Sequence, residues 1–332
     1  MAQSGRLVIS LDFELMWGVR DNRGIADYGP NVLGVRQVVP ALLELFAKRQ
    51  IACTWATVGF LFFSNKRDLI AGLPERLPHY TDPRLSPYQS LSDIGDNEDA
   101  DPYWYASSLI KQIQECPRQE IGTHTFSHFY CLESGGDTAA FRSDLQAASA
   151  AAARHGVHLS SIVFPRNQTS APHLAVCREV GLRAFRGNEH IWFHRAGSGK
   201  DQTLLRRGFR MVDSYVSLGG AYDREPETHE GLVDVPSSRF LRPARRDGVA
   251  DRLRLARITS AMETAARRKT VFHLWWHPHN FGVGTERNLA FLRAILDCFR
   301  LLQDRHGMRS ATMAEIASET LNDGPTGGAA HG

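Results

Sequence analysis

Two histidines four residues apart, His124 and His128, lie in the run Glu120-Ile-Gly-Thr-His-Thr-Phe-Ser-His128. On a helix this spacing sets two imidazoles one turn apart on one face. They can then grip one divalent ion, as the i, i+4 pair of a zinc-protease helix does. The Glu that stands between the histidines of such a protease is missing, so a carboxylate ligand must come from elsewhere. The chain offers one near its start, in Leu11-Asp12-Phe13-Glu14. Side chains alternate along extended backbone, so Asp12 and Glu14 share one side. One can bind a metal while the other stays free as a base. With fourteen histidines in the chain, one such spacing can arise by chance, and the carboxylates decide the matter. A carboxylate directly after a buried strand needs a partner.

These groups act together only if the fold gathers them. Leu7 to Leu11 reads as a strand buried on both faces, Val32 to Lys48 as a helix and Ile51 to Thr57 as a second strand. This strand–helix–strand start predicts parallel βαβ construction. Residues 60–105 break the rhythm with a stretch rich in Pro, Asp, Ser and Tyr. A loop of that length is usually functional, and a substrate-covering lid is the expectation. Alternation then resumes. It predicts helices near 104–115, 137–155, 172–180, 200–220, 248–268 and 285–305, and strands at 120–123, 161–164, 182–185, 232–235, 270–276 and 310–312. About seven strands predict an α/β fold, a distorted (β/α) barrel of parallel strands with a long insertion. The domain reading is one barrel domain over residues 1–321 with the insertion at about 60–105, and a disordered Gly/Ala-rich tail over 322–332. An open doubly wound sheet is the alternative, though no G-x-G-x-x-G follows a strand.

Functional groups of such folds gather at the C-terminal ends of strands. Four polar clusters fall there: Asp12 to Glu14, Thr123 to His128, Pro165-Arg166-Asn167 and His277-Pro278-His279. Composition narrows the rest. The apolar share of 42% and charged share of 23% are those of a globular protein. A net charge of +3, with no basic cluster interleaved with aromatics, argues against nucleic acid. No segment approaches the roughly 20 apolar residues of a membrane span. The first residues lack the pattern of a secretory signal, which predicts a cytoplasmic protein. The five cysteines are scattered without C-x-x-C, as reduced core thiols are. Nothing fixes an oligomeric state.

Residues 6–316 resemble, in motif order, the NodB-like polysaccharide deacetylases of carbohydrate esterase family 4. The family's first motif, T-F-D-D-G, is represented by Ser10-Leu11-Asp12-Phe13-Glu14, its second Asp displaced by one and exchanged for Glu. That resembles the branch with a D-x-E start. The second motif, H-[ST]-x-x-H, is matched in full by His124 to His128. The third, R-x-P-Y, is partly present as Pro165-Arg166-Asn167-Gln168, and the late catalytic His resembles Trp276-His277-Pro278. Asp213 and Asp234 are the candidates for the fourth motif. The resemblance implies that Glu14, His124 and His128 hold one divalent ion, with zinc expected, and that Asp12 is the base. It implies that His277 protonates the departing amine, with His279 behind it, and that Arg166 pairs with Asp12 and keeps it ionised.

The activity implied is metal-dependent hydrolysis of an N-acyl group, acetyl or formyl, from an amino sugar. A cytoplasmic member would act on a nucleotide-linked or lipid-linked precursor of surface glycans such as O-antigen or lipopolysaccharide. Two other readings stay open: an allantoinase-like cyclic amide hydrolase, and an inactive relative that only binds glycans. Trp17, the pair Trp275 and Trp276, Ser237 and Ser238, and Tyr103 to Tyr105 are each read either as sugar contacts or as packing.

Overall fold

The computed structural model describes residues 4–188, 224–244 and 248–323. Among these residues ten strands form one sheet. They are β1 (Arg6–Phe13), β2 (Cys53–Thr57), β3 (Gln119–Thr123), β4 (Ser161–Ile162), β5 (Ala184–Phe185), β6 (Glu227–His229), β7 (Leu232–Asp234), β8 (Arg239–Phe240), β9 (Val271–Trp276) and β10 (Arg309–Ala311). Their order is β6-β7-β5-β4-β3-β2-β1-β9-β8, with β10 beside the first half of β1. Every pairing is parallel except that of β6 with β7. All eight residues of β1 are buried, as a central strand covered by helices on both faces requires.

The two ends of this sheet approach one another. Only Val235 to Ser238 separate β7 from β8. Along that run Val235 N donates to Phe185 O and Ser237 N to Gly187 O, on the β5 side. Ser238 N and Leu241 N then donate to His273 O and Trp275 O, on the β9 side. One extended segment thus passes from β5 to β9 and bends the sheet round. The result is the distorted (β/α) barrel that the alternation predicts.

The helices follow the expected alternation with two differences. The first runs over Ile25–Arg49 and carries Pro30 and Pro40 inside it. Its N-terminus is fixed by Asp27, whose carboxylate accepts from Gly24 N at 2.8 Å, so it begins a turn and more before the first strongly periodic residue. The last helix, Met313–Asp323, takes in Asn322 and Asp323, which the sequence assigns to the tail. Residues 324–332, the expected helix at 200–220 and Asp213 lie outside the described residues.

The insertion leaves β2 through the short helices Gly59–Phe62, Lys66–Ala71, Pro83–Leu85 and Pro87–Ser92, and rejoins the barrel at the helix Ser107–Glu115. Tyr105 is fully buried and Trp104 nearly so. Met16 N and Trp17 Nε1 donate to the carbonyls of Tyr103 and Trp104. The insertion therefore packs beside the end of β1.

Candidate active site

The polar clusters meet above one row of the sheet. Paired residues run Phe13–Thr57–Thr123–Ile162–Phe185–Asp234 across six strands, and Leu11 pairs with Trp276 on the other side of β1. Asp12, Glu14, His124, Asn167 and His277 all sit within a few residues of this row. Among the described residues, five of the nine non-glycine residues with positive φ follow β1, β3 and β4: Leu15, Thr125, His128, Arg166 and Asn167. Such backbone is costly and gathers where a fold holds groups in special positions.

Glu14, His124 and His128 are buried and form a group able to hold a metal ion. Glu14 Oε2 lies 3.1 Å from His128 Nε2 and 3.3 Å from His124 Nε2. Ligands about 2.0–2.2 Å from a tetrahedral ion stand roughly 3.4 Å from one another, so the spacing fits. The tautomer fits as well. His124 Nδ1 lies 2.7 Å from Val163 O; a carbonyl only accepts, so Nδ1 carries the proton and Nε2 offers its lone pair. Three protein ligands would leave an ion one position for water or substrate, as in hydrolytic zinc sites. Gly18 makes room for the carboxylate, since a Cβ there would lie 1.9 Å from Glu14 Cδ.

The histidine pair is not helical, contrary to the geometry its spacing suggests. His124 still belongs to the strand ladder, its N–H donating to Thr57 O. Thr125 and His128 then adopt φ of 64° and 59°, and the chain folds back so that both imidazoles face Glu14. Asp144, fully buried on the helix Thr138–Ala153, holds this loop. Its carboxylate accepts from Phe126 N at 2.6 Å, from Ser127 N at 3.2 Å and from the Ser127 hydroxyl. Burial pushes the Asp144 carboxyl up to about 7 despite these donors.

Asp12 is clamped, but not by Arg166. Arg186 Nη1 and Nη2 donate to Asp12 Oδ1 and Oδ2 at 2.6 and 2.9 Å. Arg166 turns away to Asp21 and Glu133, its guanidinium 4.2 Å from the Tyr130 ring centre. The reason is local: Arg166 sits at φ 53° in a tight turn after β4, whereas Arg186 follows β5 and points inward. Arg186 is 2% exposed. It also donates to Ser10 Oγ at 3.1 Å and Asn167 Oδ1 at 3.0 Å, and lies 4.0 Å from the Trp275 ring centre. His273 completes the cluster, its Nε2 2.8 Å from Ser10 Oγ. Burial and the Arg186 charge depress His273 to about 3, so it is neutral. Burial alone would raise Asp12; the guanidinium, with His124 and His277, outweighs it and holds the carboxyl below its usual value. The same contest leaves Glu14 well below the usual range, against burial, through His277, His124 and His128.

His277 Nε2 stands 3.6 Å from both Asp12 Oδ2 and Glu14 Oε1, its side chain 23% exposed. Solvent reaches this side of the cluster. His279 stacks on it, ring centres 5.0 Å apart and planes 8° apart, and is buried with Nε2 3.9 Å from Glu14 Oε1. Burial, then the charge of His277, lower His279 to about 3.

The sequence thus names Asp12, Glu14, His124, His128, His277 and His279, and the structure gathers all six. It misses Arg186, His273, Asp144 and Gly18. Arg186 stands one residue past a strand end, which is a signal in principle, but β5 is two residues long and shows no periodicity. Asp234, paired with Phe185 in β7, lies off the cluster beside Gly187. Trp17 packs on Phe60 and Trp104, and Trp276 on Phe281, whereas Trp275 covers Arg186. Ser238 is buried in the link between β7 and β8, its hydroxyl accepting from His273 N. Trp17, Trp276 and Ser238 are thus engaged in packing or backbone bonding.

No protein-family model matches the chain, and no curated protein matches it. Solved structures do share its fold. A protein assigned as a polysaccharide deacetylase from Mycobacterium smegmatis superimposes with a TM-score of 0.60 at 13% identity, covering 100% of this chain and 96% of that one. Another so assigned, from Pseudomonas aeruginosa PAO1, gives 0.58 at 12%, covering 97% and 92%. Puue allantoinase gives 0.58 at 10%, covering 97% and 91%. Deacetylases and an allantoinase thus lie equally near, so function must be argued from the side chains.

Proposed function

We propose that the chain is a metal-dependent hydrolase that removes an N-acyl group, acetyl or formyl, from an amino sugar. One arrangement carries the reading: a carboxylate and two imidazoles at metal-ligand spacing, beside a second carboxylate that is free of them and clamped by an arginine. Glu14, His124 and His128 would hold one divalent ion, and their oxygen and nitrogen donors suit zinc. Such an ion polarises an acyl oxygen and lowers the pKa of water.

This chain's own residues do the rest. Asp12, ionised and oriented by Arg186, accepts the proton of the attacking water. The guanidinium takes both carboxylate oxygens, so the lone pairs left for that proton point in a fixed direction. His277, at the exposed side and 3.6 Å from Asp12, gives a proton to the departing amine nitrogen. His279 stacks on its ring and Asn280 Oδ1 lies 3.4 Å from its Nδ1. Arg166 is proposed for no step at Asp12.

We place the substrate among nucleotide-linked or lipid-linked precursors of surface glycans. No helix among the described residues is long and apolar enough to cross a membrane. Turnover confined to polymeric chitin or peptidoglycan overturns this placement. The second reading, opening of a cyclic amide, draws on the equal likeness to the allantoinase fold.

Elemental analysis of the purified protein, with and without His124→Ala, joined to assays of acetate and formate release from N-acylated hexosamines, tests the proposal. One ion per chain, lost in the variant, and acyl release by the wild type are expected. Ring opening of allantoin without acyl release, or an unchanged metal content in the variant, rejects it.

A further inference from the structure

One buried titratable group beside the base has no part in the steps above. His273 is fully buried on β9 and shares its side of the strand with Trp275. Its ring meets two polar atoms. Nδ1 lies 3.2 Å from Val235 O, and Nε2 lies 2.8 Å from Ser10 Oγ. The carbonyl only accepts, so Nδ1 carries the proton and Nε2 offers a lone pair. The Ser10 hydroxyl therefore donates to Nε2, which leaves its own lone pairs to accept from Arg186 Nη1 at 3.1 Å. Arg186 in turn holds both oxygens of Asp12.

The direction of every bond in this chain is set by its neighbours. Val235 belongs to the link between β7 and β8 that closes the barrel, and Ser238 of the same link brackets His273. Ser238 N donates to His273 O at 2.9 Å, and Ser238 Oγ accepts from His273 N at 3.0 Å. The imidazole is thus fixed by ring and by backbone. The opposite tautomer would turn the lone pair of Nδ1 towards the lone pairs of Val235 O. An imidazolium would aim a second cationic donor at Ser10 Oγ beside the guanidinium. The neutral Nδ1–H form alone satisfies Val235, Ser10 and Arg186 together. Ser10 on Nη1 and Asn167 on Nη2 then flank the paired bond to Asp12, so the plane of the guanidinium is held from both sides.

We infer that His273 and Ser10 are positioning residues of the reaction: a one-way hydrogen-bond relay runs from the closure of the barrel to Arg186 and sets the plane in which Asp12 meets the attacking water. The inference rests on the hydrolase reading above and deepens it. Two substitutions divide the work of the imidazole. Gln sets its amide oxygen where Nε2 stands, keeping the acceptor for Ser10 and dropping the bond to Val235. Asn sets its amide nitrogen where Nδ1 stands, keeping the bond to the closure and dropping the acceptor.

The test compares wild type, Ser10→Ala, His273→Gln, His273→Asn and the double variant Ser10→Ala/His273→Asn, each as the full chain loaded with zinc. Acyl release from N-acetylglucosamine, N-formylglucosamine and their uridine-diphosphate conjugates gives kcat and KM. Urea midpoints give stability, and nitrogen NMR of histidine-labelled protein shows which ring nitrogen of His273 is protonated. Ser10→Ala and His273→Asn should each lower kcat about tenfold, the low end for a hydrogen bond to a charged group, with KM within about twofold and zinc content unchanged. The double variant should lose no more than either, because the two residues act as a unit. His273→Gln should stay within about threefold of wild type in kcat, while its urea midpoint falls below that of His273→Asn. The wild-type spectrum should show Nδ1 protonated and Nε2 bare at neutral pH. An Nε2–H tautomer, equal kcat losses in the Gln and Asn variants, or losses in the double variant that multiply to about a hundredfold overturn the relay, while acyl release by the wild type keeps the hydrolase reading. If His273→Asn folds poorly, Ser10→Ala set against His273→Gln makes the same comparison. A wild type that releases no acyl group removes the hydrolase reading and the positioning role with it.

Discussion

The two halves of the site are built differently. The metal-holding half follows β1 and β3, strands of eight and five residues. The clamp on Asp12 follows β4 and β5, each of two residues. Long ladders fix where Glu14 and His124 leave the sheet, because each residue of β3 is paired to β2. Two-residue strands fix little. Arg186 instead owes its place to side-chain partners, Ser10, Asp12, Asn167 and the Trp275 face. The lesson is that backbone pairing positions the donors while a buried side-chain network orients the carboxylate of the base, so the two halves should fail in different ways.

The largest effect is expected in the metal half. Glu14→Ala and His124→Ala each remove one of three ligands and should abolish stoichiometric metal. Turnover should fall at least about 10³-fold, because the ion contributes several kcal/mol to the transition state. The ladder beneath is untouched, so the apo variants should unfold close to the apo wild type. Elemental analysis and thermal unfolding of both forms check this. A variant that keeps its metal, or an apo protein that collapses, removes the distinction between the halves.

Arg186→Ala should fail the other way, through stability. It strands Asp12 as a buried charge, at a cost of about 3–5 kcal/mol, and it frees the base to turn. Arg186→Lys keeps the charge but not the paired geometry, and should recover folding better than turnover. Arg166→Ala is the control. Its side chain is 31% exposed, and Asp21 keeps the Tyr130 hydroxyl as a donor. Asp21 is only 3% exposed, so the cost of the variant should be about 1–3 kcal/mol, still below that of Arg186→Ala, with turnover nearly intact. Urea unfolding and steady-state rates on both variants decide. Equal losses at the two arginines would mean that the clamp is not where the geometry puts it.

The same contrast explains what was legible in the sequence. Asp12, Glu14, His124 and His128 announce themselves because each pair is local, two or four residues apart, and follows a strand whose apolar run can be read. Even there, spacing suggested a helix. The positive φ at Thr125 and His128 depends on Asp144, sixteen residues beyond His128, and no local pattern reports that bond. Arg186 and Arg166 were indistinguishable by type and by strand-end position. The choice between them lies in contacts with Ser10 and Asp12, more than 170 residues away in the chain. The barrel itself was readable from alternation, but its curvature depends on Val235 to Ser238 pairing first with β5 and then with β9, which periodicity over four residues cannot show.

Asp144 brings the comparison to a single side chain. It serves the metal half, and its carboxylate has three donors. Asp144→Ala leaves Phe126 N and Ser127 N buried without an acceptor, a loss of about 2–4 kcal/mol. Metal affinity should fall with it as the histidine loop loosens. Unfolding of the apo protein separates the two effects. An apo variant as stable as wild type would show that the loop is held by its backbone alone.

Asp234, on the β5 side and off the cluster, is the counterpart: it is also buried but has one oxygen unpaired, so its removal should have the opposite sign. Its carboxyl is raised from 3.8 to about 6 by burial. The fold therefore favours the protonated acid. That preference is fully present below the unfolded value and is lost as the pH rises through the folded one. Asp234→Asn keeps the shape without the charge and should gain on the wild type as the pH rises from about 4 to about 6, then hold its lead. A shift of that size corresponds to a gain on the order of 3 kcal/mol. Urea midpoints of the two proteins, taken in parallel across this range, give the difference directly. A gap that does not change with pH would show that Asp234 has a partner in solution. A variant weaker than wild type near about pH 7, where the wild-type group is ionised, would show that the charge itself stabilises the fold. Either result would make the β5 side as well satisfied as the β3 side, and the unpaired oxygen would no longer set the two apart.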